Sequence, residues 1–394
     1  MTRYESFEPD QKRVRLWPVF VAPLAILVLA LGWSAFWFYA AHRVEGAIEA
    51  WRTREAAAGR TYDCGTQGVG GYPFRLEVRC DDAKIGLTSN APPLDIGLQS
   101  LLVVAQVYDP TLLIAEFTSP AKITPRGSAT TYLAQWSLAQ SSVRGTPSAP
   151  QRVSFAFEKP KIDEVRGGQS STYFEAEQLE VHGRLIGGSI SDQPVIELAS
   201  RLVGAIAPAA HLLAAKPFNA SSVVVLRGLK NFAPKPWPAR FREIQEANGA
   251  IEIMQSRFEQ GEVLGVSSGT LRLSASGHLE GEIQMIVAGM DKIIPALGLD
   301  KLLQESVPQD RLDRIAPGVD AGKINNALSA LDRLVPGLGN VARQHVNTGV
   351  QAGLTMIGKP TELEGKKAIA VPLRFANGAI MLGPVQVGRM PSLF

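Results

Sequence analysis

LWPVFVAPLAILVLALGWSAFWFYAA, residues Leu16 to Ala41, holds no charged side chain and decides how the rest of the chain must be read. As a helix its 26 residues would extend roughly 39 Å, more than the roughly 30 Å of a bilayer's hydrocarbon core. Lys12, Arg13 and Arg15 precede it; His42 and Arg43 follow it. Trp17 stands at one end and Trp33, Trp37 and Tyr39 cluster at the other, the distribution of interfacial aromatic anchors. A cleaved signal peptide and a buried core helix are the competing readings. Cleavage calls for a shorter apolar run and small residues before the cut, whereas Phe38 and Tyr39 before Ala41 are bulky. The sequence favours a retained transmembrane signal-anchor at 16–41.

The basic flank gives that anchor a direction. By the positive-inside rule residues 1–15 stay in the cytoplasm as a short tail, and the chain after about residue 42 crosses the membrane. No later stretch reaches the length of a second span; the run from Leu202 to Ala215 is broken by Pro208 and His211. Among the 394 residues, 45% are hydrophobic and 20% charged, the balance of a folded protein. A formal charge of +3, with basic residues scattered and not interleaved with aromatics, argues against a nucleic-acid partner. The two cysteines, Cys64 and Cys80, lie in the translocated part, where an oxidising compartment favours a disulfide. Their spacing lacks the short C-x2-C pattern and no histidine is near, which speaks against a metal site.

After the anchor, Val44, Ala47, Ile48 and Trp51 recur at helical spacing and predict an amphipathic stalk helix over 42–60, stopped by Gly59. It serves as a stalk or lid, or packs on the first strands; the second is favoured. In PFRLEVRC, Phe74, Leu76, Val78 and Cys80 alternate with Arg75, Glu77 and Arg79, a half-buried antiparallel strand. Glycines 65, 68, 70 and 71 supply a turn before it, and Cys80 on the apolar side faces Cys64 in a stapled hairpin. Short alternating runs with brief polar gaps continue to Ile162 and again over 171–185, a strand meander. PVIELASRLVGAIAPAAHLLAA (194–215) reads as a helix, and Pro217, Pro234 and Pro236 make 216–236 a loop or a sub-domain boundary.

A short helix is expected in WPARFREIQEANG, with Trp237, Phe241 and Ile244 on one face and Gly249 at its end. Strands follow to about Gly289. Residues 290–357 turn to helical spacing, with Ile324, Leu328, Leu331 and Leu334 behind an N-cap at Asp320, and a second stripe at Val346, Val350 and Leu354. Ile369, Val371, Leu373 and Phe375 then alternate up to Asn377-Gly378, a type I′ hairpin signal, before the closing strand. Strands outnumber helices and the helices come in blocks. The fold class is therefore α+β: an N-terminal transmembrane helix, then a β-rich region over 61–394 of extended, largely antiparallel sheets packed with a few amphipathic helices.

GVGGYPFRLEVRC after an anchor and a short helix resembles the start of the bacterial family called domain of unknown function 2125. DPTLLIAEFTSPAKI at 109–123, GEVLGVSSGTLRLSASGHLEGEIQMIVAG at 261–289 and the closing GAIMLGPVQVGRMPSLF resemble it too. The resemblance covers most of the chain after Gly59 and implies an envelope protein of a Gram-negative bacterium, of alphaproteobacterial type. With the anchor's direction, that puts the bulk of the chain in the periplasm on the inner membrane. It implies no reaction and brings no active site.

Catalytic chemistry is not legible in the residues. Gly265-Val266-Ser267-Ser268-Gly269 matches G-x-S-x-G, but TLRLSASG after it is strand where a nucleophile elbow needs a helix, so the match reads as a polar hairpin turn. His42, His182, His211, His278 and His345 are dispersed, with no H-x-x-x-H or H-E-x-x-H. Gly318–Lys323 has the wrong spacing for a phosphate loop. No catalytic residue, metal ligand or cofactor is assigned. What remains is an apolar strand face formed by Leu271, Leu273, Leu279, Ile283, Met285 and Val287, either an open groove for lipid or an ordinary closed core. The functional expectation is a non-enzymatic, membrane-tethered protein that handles inner-membrane lipid or another apolar ligand. The alternative is a structural or assembly factor that binds another envelope protein, with a periplasmic hydrolase third.

Overall fold

The first helix does not end where the charges begin. In the computed structural model, which describes residues 17–146, 149–210, 213–233, 235–289, 292, 322, 358–382 and 385–394, helix α1 runs unbroken from Trp17 to Ala57. Its most apolar eighteen-residue window has a mean hydropathy of 2.0 and is only 6% buried, so α1 is long and apolar enough to cross a membrane and is not a core helix. Lys12, Arg13 and Arg15 lie outside the described residues. The outer part of α1 packs along the first strands through Trp37, Ala41, Val44, Ile48 and Arg52, at i, i+4, i+7, i+11 and i+15, while Ala47 faces solvent.

The strands that follow are β1 (Arg60–Asp63), β2 (Thr66–Gly70), β3 (Arg75–Leu87), β4 (Leu94–Gln106), β5 (Asp109–Phe117), β6 (Ala121–Pro125) and β7 (Thr130–Gln135). Next come β8 (Leu138–Thr146), β9 (Ala149–Glu158), β10 (Lys161–Arg166), β11 (Gln169–Glu175), β12 (Gln178–Ser189), β13 (Asp192–Ala205) and β14 (Phe218–Leu226). Helix α2 (Trp237–Glu246) precedes β15 (Ile251–Gln260), β16 (Val263–Leu273) and β17 (Leu279–Ala288). The chain closes on β18 (Lys359–Leu363), β19 (Lys366–Ala376), β20 (Ala379–Leu382) and β21 (Val385–Arg389).

All belong to one 21-stranded sheet in which the recorded pairings are antiparallel. β1 and β2 lie end to end along one edge of β3, and the Cys64–Cys80 disulfide sits where one gives way to the other. On its far side β3 pairs with β4, and there the sheet forks. The Leu94–Leu98 half of β4 pairs with β6, leading to β7, β10 and β11. The Leu101–Gln106 half pairs with β5, and from β5 the order continues β8, β9, β12, β13, β14, β15, β16, β17, β19. β18 and β20 share the outer edge of β19, and β21 follows β20. Trp136 closes the fork, donating its indole N–H to the Phe117 carbonyl at 2.8 Å and meeting Phe157 edge-on.

The α+β architecture of an apolar N-terminal helix and extended antiparallel strands is as the sequence predicts, though the strands form one sheet and not several. The helix at 237–246 and the hairpin at Asn377-Gly378 are as predicted too. Both turn residues take positive φ (51° and 76°), and Ala376 pairs with Ala379 around a two-residue turn. Three further expectations are corrected. Residues 194–205 are strand, not helix: Ile196, Leu198 and Leu202 keep period two, and pairing with β12 and β14 on both sides overrides the helical look of the neighbouring Val195, Ala199 and Val203. Gly68 and Gly70 lie within β2, leaving Gly71 to the turn. Gly265–Gly269 lies inside β16, not in a hairpin; a Cβ on Gly269 would stand 2.3 Å from the Glu282 carbonyl, so the glycine serves close strand approach. Phe218–Leu226, inside the proline-rich interval 216–236, is strand β14 and pairs with both neighbours. The expected helical stripes at 290–357 lie outside the described residues.

Helix α2 lies over one end of the sheet. Ile244, 1% exposed, packs with Leu229 and Leu273, and Phe241, Leu393 and Phe394 border the cluster. Its buried carboxylate, Glu243, accepts hydrogen bonds from the Lys230 backbone N–H, Lys235 Nζ and Arg240. Burial opposes its charge, but the Lys235 and Lys230 hydrogen bonds and the Arg240 cation outweigh that and hold the carboxyl at about 2. A folded pKa below the unfolded one gives stability that is complete above the unfolded value and lost as pH falls through the folded one. Acid melts of the wild type should therefore lose stability between about pH 5 and 2. Glu243→Gln should flatten that slope and cost about 2 kcal/mol at pH 7; an unchanged slope would contradict this account. Separately, thiol labelling of the denatured, unreduced chain should modify neither cysteine, and the Cys64→Ser/Cys80→Ser variant should lose about 3 kcal/mol in the chain-entropy estimate.

Candidate functional site

In an antiparallel sheet, residues paired across strands point to the same face, so registers can be followed from strand to strand. One line runs Leu76, Ala105, Leu113, Val143, Val153, Gly183, Leu198, Val224, Ile253, Gly269, Ile283, Leu373, from β3 to β19. Two residues along, the next line is Val78, Val103, Ala115, Ser141, Phe155, Val181, Ser200, Ser222, Ser256, Ser267, Met285, Val371. A third begins at Ala139 and passes Phe157, Leu179, Leu202, Ala220, Phe258, Gly265, Val287 and Ile369. No side chain in these lines is charged. The serines of the middle line form a narrow seam, in which the Ser200 and Ser222 hydroxyls meet at 2.8 Å.

The opposite face has another chemistry. There the register reads Glu116, Gln140, Ala156, Glu180, Arg201, Ser221, Arg257, with Arg144, Arg152, Arg184, Glu197 beside it. Arg184 pairs with Glu197 at 2.6 Å across two of those strands. The sheet is thus sharply two-faced. At a strand spacing of about 4.8 Å its uncharged face measures on the order of 50 Å from β3 to β19, longer than a bilayer core is thick.

Cover is unequal along this face. At the β15–β20 end Leu271, Ile283 and Phe375 are buried together, with Ile380 and Met390 packed on them, and α2 covers Leu273. Towards the middle, Phe155 and Leu198 are 40% and 41% exposed, and Val181, Leu179 and Leu202 are half-buried. Between the two, a cavity of about 280 Å³ opens over β15–β17, lined by Phe258, Met285 and Val287 together with the polar Ser256, Ser267, Gln260 and the cation of Lys292.

The six apolar residues singled out in the sequence therefore divide. Leu271, Leu273 and Ile283 belong to closed core, Leu279 borders both core clusters, and Met285 and Val287 line the cavity. Most of the uncharged face was not singled out: Phe155, Phe157, Leu179, Val181, Leu198 and Leu202 come from three strands, β9, β12 and β13. Their alternation marks strands, but only the pairing puts them side by side.

At the α1 end of the sheet, Trp33 and Trp37 do more than stand in the helix. Their indole N–H groups donate to the Pro73 and Arg75 carbonyls at 2.8 and 2.9 Å, while Trp17 is 78% exposed. The hairpin that carries Leu76 and Val78, the first members of the uncharged lines, is thus fixed to α1.

Ser267 sits in mid-strand opposite Ser256 and Met285, and no histidine lines its cavity. His278 instead bonds the Ser276 hydroxyl in the β16–β17 turn. Among the described residues no group of three or more His, Cys, Asp or Glu is gathered as metal ligands.

The cavity makes a prediction about oxidation. Met254, 59% exposed, should form sulfoxide quickly with dilute peroxide, and Met285 more slowly. Palmitate at about ten times its Kd should slow Met285 roughly tenfold further and leave Met254 unchanged. Equal protection of both, read by peptide mass spectrometry, would mean that the cavity takes no acyl chain.

No curated protein matches the chain. A family match extends over residues 37–391, from the outer part of α1 through the last strand of the sheet. The chain belongs to the bacterial family described as uncharacterized protein conserved in bacteria (DUF2125).

Proposed function

We propose that this protein is held in the bacterial inner membrane by α1, with its N-terminus cytoplasmic and its sheet in the periplasm, and that the uncharged face of the sheet shelters acyl chains of membrane lipid. The carrying observation is the continuity of that face, without a charge, from β3 beside the membrane helix to β19. Exposed apolar side chains on such a scale mark a surface that meets something apolar. Support for the topology comes from Lys12, Arg13 and Arg15 before the apolar run and from the disulfide, which an oxidising compartment maintains. Retention of the helix is supported by the hydrogen bonds of Trp33 and Trp37 to the hairpin, which cleavage at its end would sever.

The chemistry asked of the sheet is binding, not bond-making. An acyl chain laid along the uncharged lines removes its own surface and that of Phe155, Val181, Leu198 and Leu202 from water, at about 25 cal/mol per Å² of apolar area. The charged opposite face keeps the sheet solvated.

Native mass spectrometry of the full chain, released from bacterial membranes in mild detergent, tests this. Wild type should carry phospholipid that survives delipidating washes. Val181→Glu and Leu202→Glu, each placing a charge in the uncharged lines, should lose it, whereas Ser221→Glu on the opposite face should keep it. Equal lipid retention by all three variants would sink the lipid reading and favour a protein partner for this face.

A further inference from the structure

Two neighbouring turns end the sheet beside the aromatic girdle of α1. Gly71–Phe74 joins β2 to β3, and Val107–Tyr108 joins β4 to β5. They form one unit, because the Val107 N–H donates to the Phe74 carbonyl at 3.0 Å. That unit is clamped to the helix. Besides the two indole hydrogen bonds, the Ser34 and Tyr72 hydroxyls meet at 2.8 Å. The Tyr72 ring lies against Phe38 and edge-on to Trp37, and Phe74 faces Trp33.

The outward sides of these turns are bare aromatics. Tyr72 is 52% exposed, Phe74 64% and Tyr108 71%. Four carbonyls of the first turn and its exit into β3 are, by contrast, hydrogen-bonded internally. The Gly71 carbonyl accepts from the Arg75 N–H, Pro73 from Trp33, Phe74 from Val107 and Arg75 from Trp37. Carbonyls paired in this way cost less to bring close to acyl chains, where water no longer supplies the bond. The helix supplies the depth: the stretch from Trp17 to Trp37 rises about 30 Å, the thickness of a hydrocarbon core. A span that begins at Trp17 reaches its far boundary where the turns are attached.

From these observations we propose that Tyr72, Phe74 and Tyr108 are an interfacial foot, sunk at the boundary between headgroups and acyl chains of the leaflet that α1 enters last. Aromatic side chains prefer that zone. With the foot in place Leu76 stands at the membrane surface, and the uncharged face begins in contact with the leaflet instead of above it. The proposal rests on the membrane-spanning reading of α1 and not on lipid occupying the sheet.

Photolabelling of the full chain in phosphatidylethanolamine–phosphatidylglycerol vesicles, with a trace phospholipid bearing a diazirine near its glycerol, tests it directly. Adducts on α1 peptides report the span. Adducts on the peptides carrying 71–75 and 107–108 should approach the yield on Phe36–Tyr39 and exceed that on Trp237 by roughly tenfold, as an aromatic at the interface should. Trp237 is the control because it is equally exposed (71%) but lies on α2. Labelling of α1 with both turn peptides at the Trp237 level would overturn the foot, while leaving lipid carriage by the sheet to its own test.

Discussion

Register holds this structure together. A strand shifted by one residue would send its apolar set to the charged face and its charges into the uncharged one. Each pairing from β3 to β19 must therefore stay in phase with the last, over strands that come from widely separated parts of the chain. Where an extra residue enters, the sheet absorbs it locally. In β15 the register shifts between Val223 and Val224 on one side and between Ile253 and Ser256 on the other, so the bulge around Met254 is matched by both neighbours. Ile253 and Ser256 thereby stay on the same face as Val224 and Ser222, and Met254 is left facing solvent.

That coherence explains how the parts relate. β3 is the strand on which the assembly starts: it pairs with β1, β2 and β4, carries Cys80 of the disulfide, and begins at Arg75, whose carbonyl Trp37 holds. The helix and the sheet are thus joined through side-chain indoles on one partner and backbone carbonyls on the other, which ties the start of the uncharged face to the helix. At the far end the same face is closed by ordinary packing, with Phe375, Ile380 and α2 covering Leu271, Ile283 and Leu273. The uncharged face is thus closed at one end and exposed in its middle.

Local pattern was legible wherever a single element sufficed to produce it. PFRLEVRC, IAVPLRF and the Asn377-Gly378 turn carry their period and their turn chemistry within a few residues, and the structure agrees with each except that Phe74 falls in the turn before β3 and is exposed. IELASRLVGA shows the limit. Its apolar residues satisfy both periods, and two flanking strands, not propensity, made it β13. The Gly265–Gly269 stretch failed for a related reason: its glycines suggested a turn, while it lies within β16 and Gly269 lets β17 come close.

By itself the sequence determined an apolar helix able to span a membrane, a pair of cysteines suited to a disulfide, and a succession of two-faced strands. Those are properties of neighbouring residues: charge, length and alternation. Only the tertiary structure decided that the strands share one sheet, that their uncharged faces coincide from Leu76 to Leu373, and that Trp33 and Trp37 clasp a hairpin as well as flank a span. Alternation says that a strand has an apolar side. Which strand lies next to it, and in what phase, depends on backbone hydrogen bonds between distant residues, and these leave no local mark.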